Sequence, residues 1–328
     1  MLLSYILRRI LWAVPFLFAA SLVAFLLITL PPGDYVTTYA QTLMQSGDTV
    51  DQARLDALRQ RFGLDQPVVV QYFIWIGNVL RGDFGVSFEW NQPVSELIWE
   101  RLGLSFALEI ATLMFAWSVA LPIGIYSAVK KYSVGDYIAS VIGFIGLAVP
   151  SFLIALVIMY VSIVHFGKDV SGLFSPEYRQ APWSWGKFVD LLSHLWVPMI
   201  ILGLGMTAGL TRIMRANLLD ELNKPYVTTA RAKGLSELQL VLKYPVRLAL
   251  NPFVSTIGWA FPQLISGAVI TAFVLGLPTT GPLLLQALLA QDMYLAGAFI
   301  LLLCSLAVIG MLVSDILLAL IDPRIRFQ

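Results

Sequence analysis

Charge is scarce in this chain. Only 12% of its 328 residues are Asp, Glu, Lys or Arg, about half of the roughly 25% that a water-soluble surface carries. A polar coat that thin excludes an ordinary soluble globule. Acids and bases nearly cancel, 20 against 21, for a net charge of +1, so there is no bulk attraction for nucleic acid or another polyanion. The single cysteine, Cys304, cannot pair within the chain, and it sits in an apolar run as a small packing residue. Two histidines, His165 and His194, lie near the borders of apolar stretches, with no neighbouring ligands at metal-binding spacing. No Gly-x-x-x-x-Gly-Lys-Ser/Thr run occurs, and neither Gly167-Lys168 nor Gly186-Lys187 has its flanks, so no phosphate-cradling loop is encoded. Scattered carboxylates form no nucleophile–base pair. The residues give no basis for an enzyme.

What the chain has in excess is apolar surface, at 58% of its residues. A bilayer core about 30 Å thick is crossed by about 20 apolar residues in a helix, because unpaired backbone groups are too costly there. Six stretches qualify: 10–30, 104–129, 137–164, 196–213, 253–277 and 294–321. The first is too long for a signal-peptide core of about 7–15 residues. The fourth contains Gly203, Gly205 and Gly209, whose spacing suits close helix contact. The expected fold is therefore an all-α integral membrane protein, a single domain over 1–328.

Lys and Arg set its orientation. Arg8 and Arg9 precede the first span, and Lys130 and Lys131 follow the second. Arg212, Arg215, Lys224, Arg231, Lys233, Lys243 and Arg247 cluster after the fourth, and Arg324 and Arg326 follow the sixth. The connection after the fifth has none. Both termini and the segment 217–250 are thus expected on the cytoplasmic side. The long segment 31–103 faces outward, with helices expected over 51–62 and 68–80 from apolar residues at three- and four-residue steps (Leu55, Leu58, Phe62; Val69, Phe73, Ile76, Leu80). They lie against the membrane or the bundle, and Gly82 to Ser87 after them reads as a turn. A second outer segment, 165–195, holds Trp183 and Trp185 as interfacial anchors.

The segment 217–250 is helical but twice broken. Residues 218–222 prolong the fourth span, and Asn223-Lys-Pro225 interrupts it. Pro225 can open a new helix, since the first turn needs no donor from it. Two turns over 226–233 end at Gly234, a residue suited to a left-handed cap. Ser236 and Glu237 begin another helix that runs to about Tyr244. The short helix carries a small-residue face (Ala230, Ala232) and basic flanks (Arg231, Lys233). On its residues alone it is either a solvated connector or a docking helix for another protein.

Its sequence, Tyr226-Val-Thr-Thr-Ala-Arg-Ala-Lys-Gly-Leu235 with Pro252 beyond, resembles the cytoplasmic signature loop of permease subunits in binding-protein-dependent ABC importers, within the dipeptide/oligopeptide/nickel branch. The likeness extends along the chain through Leu7-Arg-Arg-Ile10, Pro32-Gly-Asp34, Phe62-Gly-Leu-Asp-Gln-Pro67, Gln71-Tyr72, Leu80-Arg-Gly-Asp-Phe-Gly85, Leu147-Ala-Val-Pro-Ser-Phe152 and Leu320-Ile-Asp-Pro-Arg-Ile-Arg326. The resemblance implies a pore-forming subunit in a bacterial or archaeal inner membrane. It would be paired with a second homologous permease, supplied by a periplasmic solute-binding protein, and driven by two ATPase subunits. ATP and Mg would be held by those ATPases, with no cofactor in this chain. Carried over by position, Tyr226, Ala230, Arg231, Ala232, Lys233 and Gly234 would be the ATPase-coupling residues.

The chain also departs from the branch. The fifth span of the branch ends with a Gly-Gly-Ala-Val pattern, a glutamate, then Pro-Gly-x-Gly. Here Ser266-Gly-Ala-Val-Ile-Thr-Ala272 and Leu277-Pro-Thr-Thr-Gly281 put Ala272 in place of the acid and Thr279 in place of a glycine. A peptide cargo is implied by the branch; a sugar-like or other neutral cargo is the alternative that these two positions favour. Two ionisable residues inside expected spans, Glu109 and Asp315, are candidates for a solute route or for helix–helix hydrogen bonding. A self-sufficient secondary transporter would show broken-helix pairs in repeated halves and midplane charges, and neither is evident.

Overall fold

A computed structural model of the chain describes residues 2–30, 33–45, 51–251, 253, 255 and 269–321, with the backbone alone at 2–10, 27–28, 42, 315 and 318–321. Among these residues all regular structure is helical, apart from one isolated bridge between Val86 and Pro93. The helices form two compact units, Met1–Ser105 with Thr279–Val308, and Phe106–Pro278 with Ile309–Gln328.

The first unit contains α1 (Leu2–Thr29), α2 (Tyr35–Gln45), α3 (Gln52–Phe62) and α4 (Val68–Leu80). It also holds the start of α5 (Val94–Val129), all of α13 (Thr280–Leu289) and most of α14 (Met293–Ile321). Helix α3 begins where the Asp51 carboxylate accepts from the Ala53 amide at 3.0 Å, and ends at Gly63 with φ 67°. Helix α4 buries Tyr72 and Trp75, while Val69, Phe73 and Leu80 stay exposed. The stripe read from the sequence is therefore the outward face, and the aromatic side faces the chain. Tyr72 meets Ser21 of α1 at 2.8 Å and Phe25 edge-on at 5.4 Å. Trp75 lies so close to Gly297 of α14 that a Cβ there would sit 2.7 Å from the indole.

Two carboxylates organise the irregular parts of this unit. Asp292, fully buried just before α14, accepts from the Ser87 hydroxyl at 2.5 Å, the Phe88 amide at 2.8 Å and the Leu295 amide at 3.1 Å. Burial pushes its carboxyl above the ordinary range, and those donors offset only part of the rise. Asp34 accepts from the Thr37 amide and hydroxyl at 2.7 and 2.6 Å and from Arg59 of α3 at 3.1 Å. Burial raises its carboxyl too, but Thr37 and Arg59 outweigh it and leave it below the usual value.

The second unit holds the rest of α5, with α6 (Val134–Ala148), α7 (Ser151–Phe166), α8 (Trp185–Leu222), α9 (Pro225–Ala232), α10 (Glu237–Lys243), α11 (Pro245–Ala249) and α12 (Val269–Val274). Small residues let α5 and α8 approach. A Cβ at Gly203 would lie 2.7 Å from the Phe115 ring, and one at Gly124 would lie 2.6 Å from Met214. Helix α6 is tied to α8 by Asp136, whose buried carboxylate takes both arms of the Arg215 guanidinium at 2.8 Å.

The expected span 137–164 falls on two helices, α6 and α7, bent 97° at a break, a broken span or a re-entrant pair. Pro150 offers no amide and drives Val149 out of the helical region, to φ −90° and ψ 123°. By length and composition α5, α8 and Met293–Ser314 can each cross a bilayer, and α6 with α7 would make a fourth crossing. The expected 10–30 span falls almost wholly within α1, and most of 253–277 lies outside the described residues.

Candidate functional site

Helix α8 continues beyond the expected span to Leu222, as the expected continuation over 218–222 has it, and its last turns form the floor on which α9 to α11 fold. Asn223 and Lys224 break the helix, and Pro225 opens α9 at a position that needs no donor. One side of α9 is buried. Val227 is inaccessible and Ala230 is 9% exposed, both in one apolar cluster with Met214 and Leu218 of α8, Leu240 and Val241 of α10, and Val246 of α11. Tyr226, half-buried, packs on the same cluster and donates its hydroxyl to Glu221 at 2.6 Å. Burial and that carboxylate push the phenol's pKa well up, so it stays protonated.

The other side is open. Thr228, Thr229, Arg231, Ala232, Lys233 and Gly234 are all exposed. Ala230 and Ala232 therefore do not form one small-residue face, as the sequence suggests. Two residues apart on a helix they point about 200° apart, so one lies against the chain and the other faces out. Gly234 ends the helix with φ 80°, and no atom lies within 4 Å of where its Cβ would be. Across that turn the Arg231 guanidinium grips the first-turn Glu237 of α10 with both arms, at 2.5 and 3.1 Å. The pair raises the arginine's pKa and lowers the glutamate's, and it spans the turn between α9 and α10 on the exposed side. Lys233 carries no ion pair among the described residues and adds positive charge to the open end. The arrangement can present a rigid, basic, small-featured surface; it contains no group placed for bond chemistry.

Glu109, on α5, is half-buried, with no hydrogen bond or ion pair among the described residues. The Asp315 side chain lies outside the described residues, as do Pro252, Ser266 and the closing motif 320–326. No cluster of His, Cys, Asp or Glu suited to a metal occurs among the described residues. Sequence reasoning passed over Asp136 and Asp292. The available signal was an acid just outside an apolar run in both cases; nothing local named Arg215 as the partner of Asp136.

Long apolar helices, with a short exposed helix beyond the end of one of them, are the features of a membrane-embedded protein. The chain belongs to the family of binding-protein-dependent transport system inner membrane components, whose profile matches residues 120–327, with the family's N-terminal region matched over 2–109. It is thus a permease subunit of an ABC importer. It is 34% identical over 328 residues to the oligopeptide transport system permease protein AppB of Bacillus subtilis (strain 168), covering 99% of each chain. A putative peptide permease protein of Brucella ovis is 35% identical over 327 residues, again 99% of each. The dipeptide transport system permease protein DppB of Escherichia coli (strain K12) is 29% identical over 343 aligned positions, covering all of both.

Proposed function

We propose that this chain is a pore-forming subunit of an ATP-driven importer of dipeptides or oligopeptides, and that α9 is where the driving force enters. The observation that carries the cargo reading is full-length similarity to three permeases named for peptides. The chain forms one translocating domain of six spans with both termini cytoplasmic, a reading supported by the Lys and Arg distribution. It pairs with a second, homologous permease, receives solute from a periplasmic binding protein, and sits on two ATPase subunits that hold ATP and Mg.

Coupling follows from the two sides of α9. Arg231, Ala232, Lys233 and Gly234 meet the ATPase, the alanine and glycine allowing close approach and the cations supplying attraction. Tyr226, Val227 and Ala230 key the helix to the base of α8. When the ATPase pair closes, a push on the open side is passed through that buried cluster to α8, and the pore alternates between its inward- and outward-facing forms. The cargo is not chemically altered. Glu109 and Asp315 are the ionisable candidates for the solute route.

A non-peptide cargo is the second reading, favoured by Ala272 standing where the branch carries an acid; the site is buried, so nothing charged is presented there. Uptake of labelled di- and pentapeptides, and of an oligosaccharide, by cells lacking their other peptide importers separates the two. Peptide uptake that requires this chain supports the first; oligosaccharide uptake alone overturns it.

A further inference from the structure

The second unit has a half-open groove of about 340 Å³ between α5, α6 and α8. Its two ends differ in chemistry. Toward the middle of α8 the walls are Phe115, Val119, Leu147 and Leu204, and toward the basic end they are Ser140, Thr211, Arg212 and Arg215. From Leu204 to Arg215 the helix rises roughly 16 Å at about 1.5 Å per residue. The slot is therefore long, apolar along most of its length and cationic at one end.

The two arginines are not equivalent. Arg215 is committed to Asp136 through both of its arms. Arg212 is exposed and has no ion pair or hydrogen bond among the described residues, so its charge is available at the mouth of the slot. Two of the apolar lining residues are well exposed, Ile142 at 62% and Phe144 at 61%, and an acyl chain passes such residues at less cost than a hydrated solute.

Among hydrocarbon tails an apolar slot alone gains little, since lipid is as apolar as the wall. Selectivity must come from the charged end. A basic pocket between membrane helices on the cytoplasmic side suits an anionic head group. The geometry points to this groove as a binding site for an anionic phospholipid of the cytoplasmic leaflet, one acyl chain in the slot and the phosphate on Arg212. The placement rests on the reading of the C-terminal end of α8 as cytoplasmic. The test measures lipid retention rather than uptake, so it can fail while that reading stands.

The complete importer is purified in mild detergent, exchanged into equal amounts of phosphatidylglycerol and phosphatidylcholine, and its bound lipids are counted by native mass spectrometry. Phosphatidylglycerol is expected to be retained in preference. Arg212→Gln, an exposed change that leaves packing intact, is expected to lower its retention about fivefold, and Arg212→Lys to keep most of it. Gly143→Leu, which fills the slot without touching the charge, is expected to lower retention as well. Equal retention of the two lipids, unchanged retention in Arg212→Gln, or displacement of the lipid by inorganic phosphate or by a peptide at neutral pH would overturn the proposal.

Discussion

At the scale of single residues, the two alanines of α9 separate docking from folding. Ala232 is exposed and Ala230 is buried in the cluster with Met214 and Leu218. A glutamate at Ala232 meets only water in the isolated chain, and surface changes of that kind stay within about 0.5 kcal/mol. Ala232→Glu is therefore expected to reach the membrane at normal abundance, melt like the parent and lose uptake, because it places an acid on the surface offered to the ATPase. The same substitution at Ala230 buries an unpaired carboxylate, at a cost of several kcal/mol if it stays charged. Ala230→Glu is expected to lower both the melting temperature and the abundance. Immunoblots of membranes, melting curves in detergent and peptide uptake check the pair. Normal uptake by Ala232→Glu would remove α9 as the coupling element.

At the scale of elements, what could be read in advance depended on whether local chemistry decided the outcome. Helices α9 and α10 were legible because Pro225 and Ser236 mark their starts and Gly234 supplies a left-handed end to α9, and α3 because Leu55, Leu58 and Phe62 recur at helical steps. Helix α2 was not. Its sequence, Tyr-Val-Thr-Thr-Tyr-Ala-Gln-Thr-Leu-Met-Gln, is rich in β-branched and aromatic residues, and contact with the chain holds Tyr35 and Val36 buried. The bond between Asp136 and Arg215 joins residues 79 positions apart, a pairing that no local pattern encodes. Val227 and Ala230, three residues apart, share a face of α9 by helix geometry alone, but that this face is the buried one was settled by tertiary contact with α8 and α10.

The Asp34 hub tests the outer elements in the same way. The folded carboxyl lies below its ordinary value of 3.8, so it contributes stability above that pH. The contribution is lost as the pH falls through the folded value, when protonation releases Thr37 and Arg59. Asp292 has the opposite sign. Its folded carboxyl is raised, so its ionisation works against folding as the pH climbs past 3.8. Protection from hydrogen exchange in α2 and α3, relative to the intrinsic rate at each pH, is expected to fall on acidification below about pH 4, and Asp34→Asn to show reduced protection already at neutral pH with little further acid response. An acid response of the same size in the variant would assign the effect to other carboxylates.

At the scale of the whole molecule, the sidedness of the chain decides whether the parts can work together as proposed. The basic end of α9 is useful to an ATPase only on the cytoplasmic side, and the α3–α4 segment can meet a periplasmic binding protein only on the other. The composition makes this directly testable, because Cys304 is the one cysteine in the chain. With Cys304→Ser as background, Lys233→Cys and Asp65→Cys each place a single thiol at an exposed site, one in the turn after α9 and the other between α3 and α4. An impermeant maleimide added to intact cells is expected to label Asp65→Cys and to miss Lys233→Cys, with the pattern reversed in inside-out vesicles. Adding the ATPase subunits to those vesicles is then expected to protect Lys233→Cys and leave background labelling elsewhere unchanged. If Lys233→Cys is labelled from outside, α9 faces the wrong compartment for any ATP-hydrolysing partner, and the coupling and lipid-leaflet assignments fall together while membership of the permease family stands.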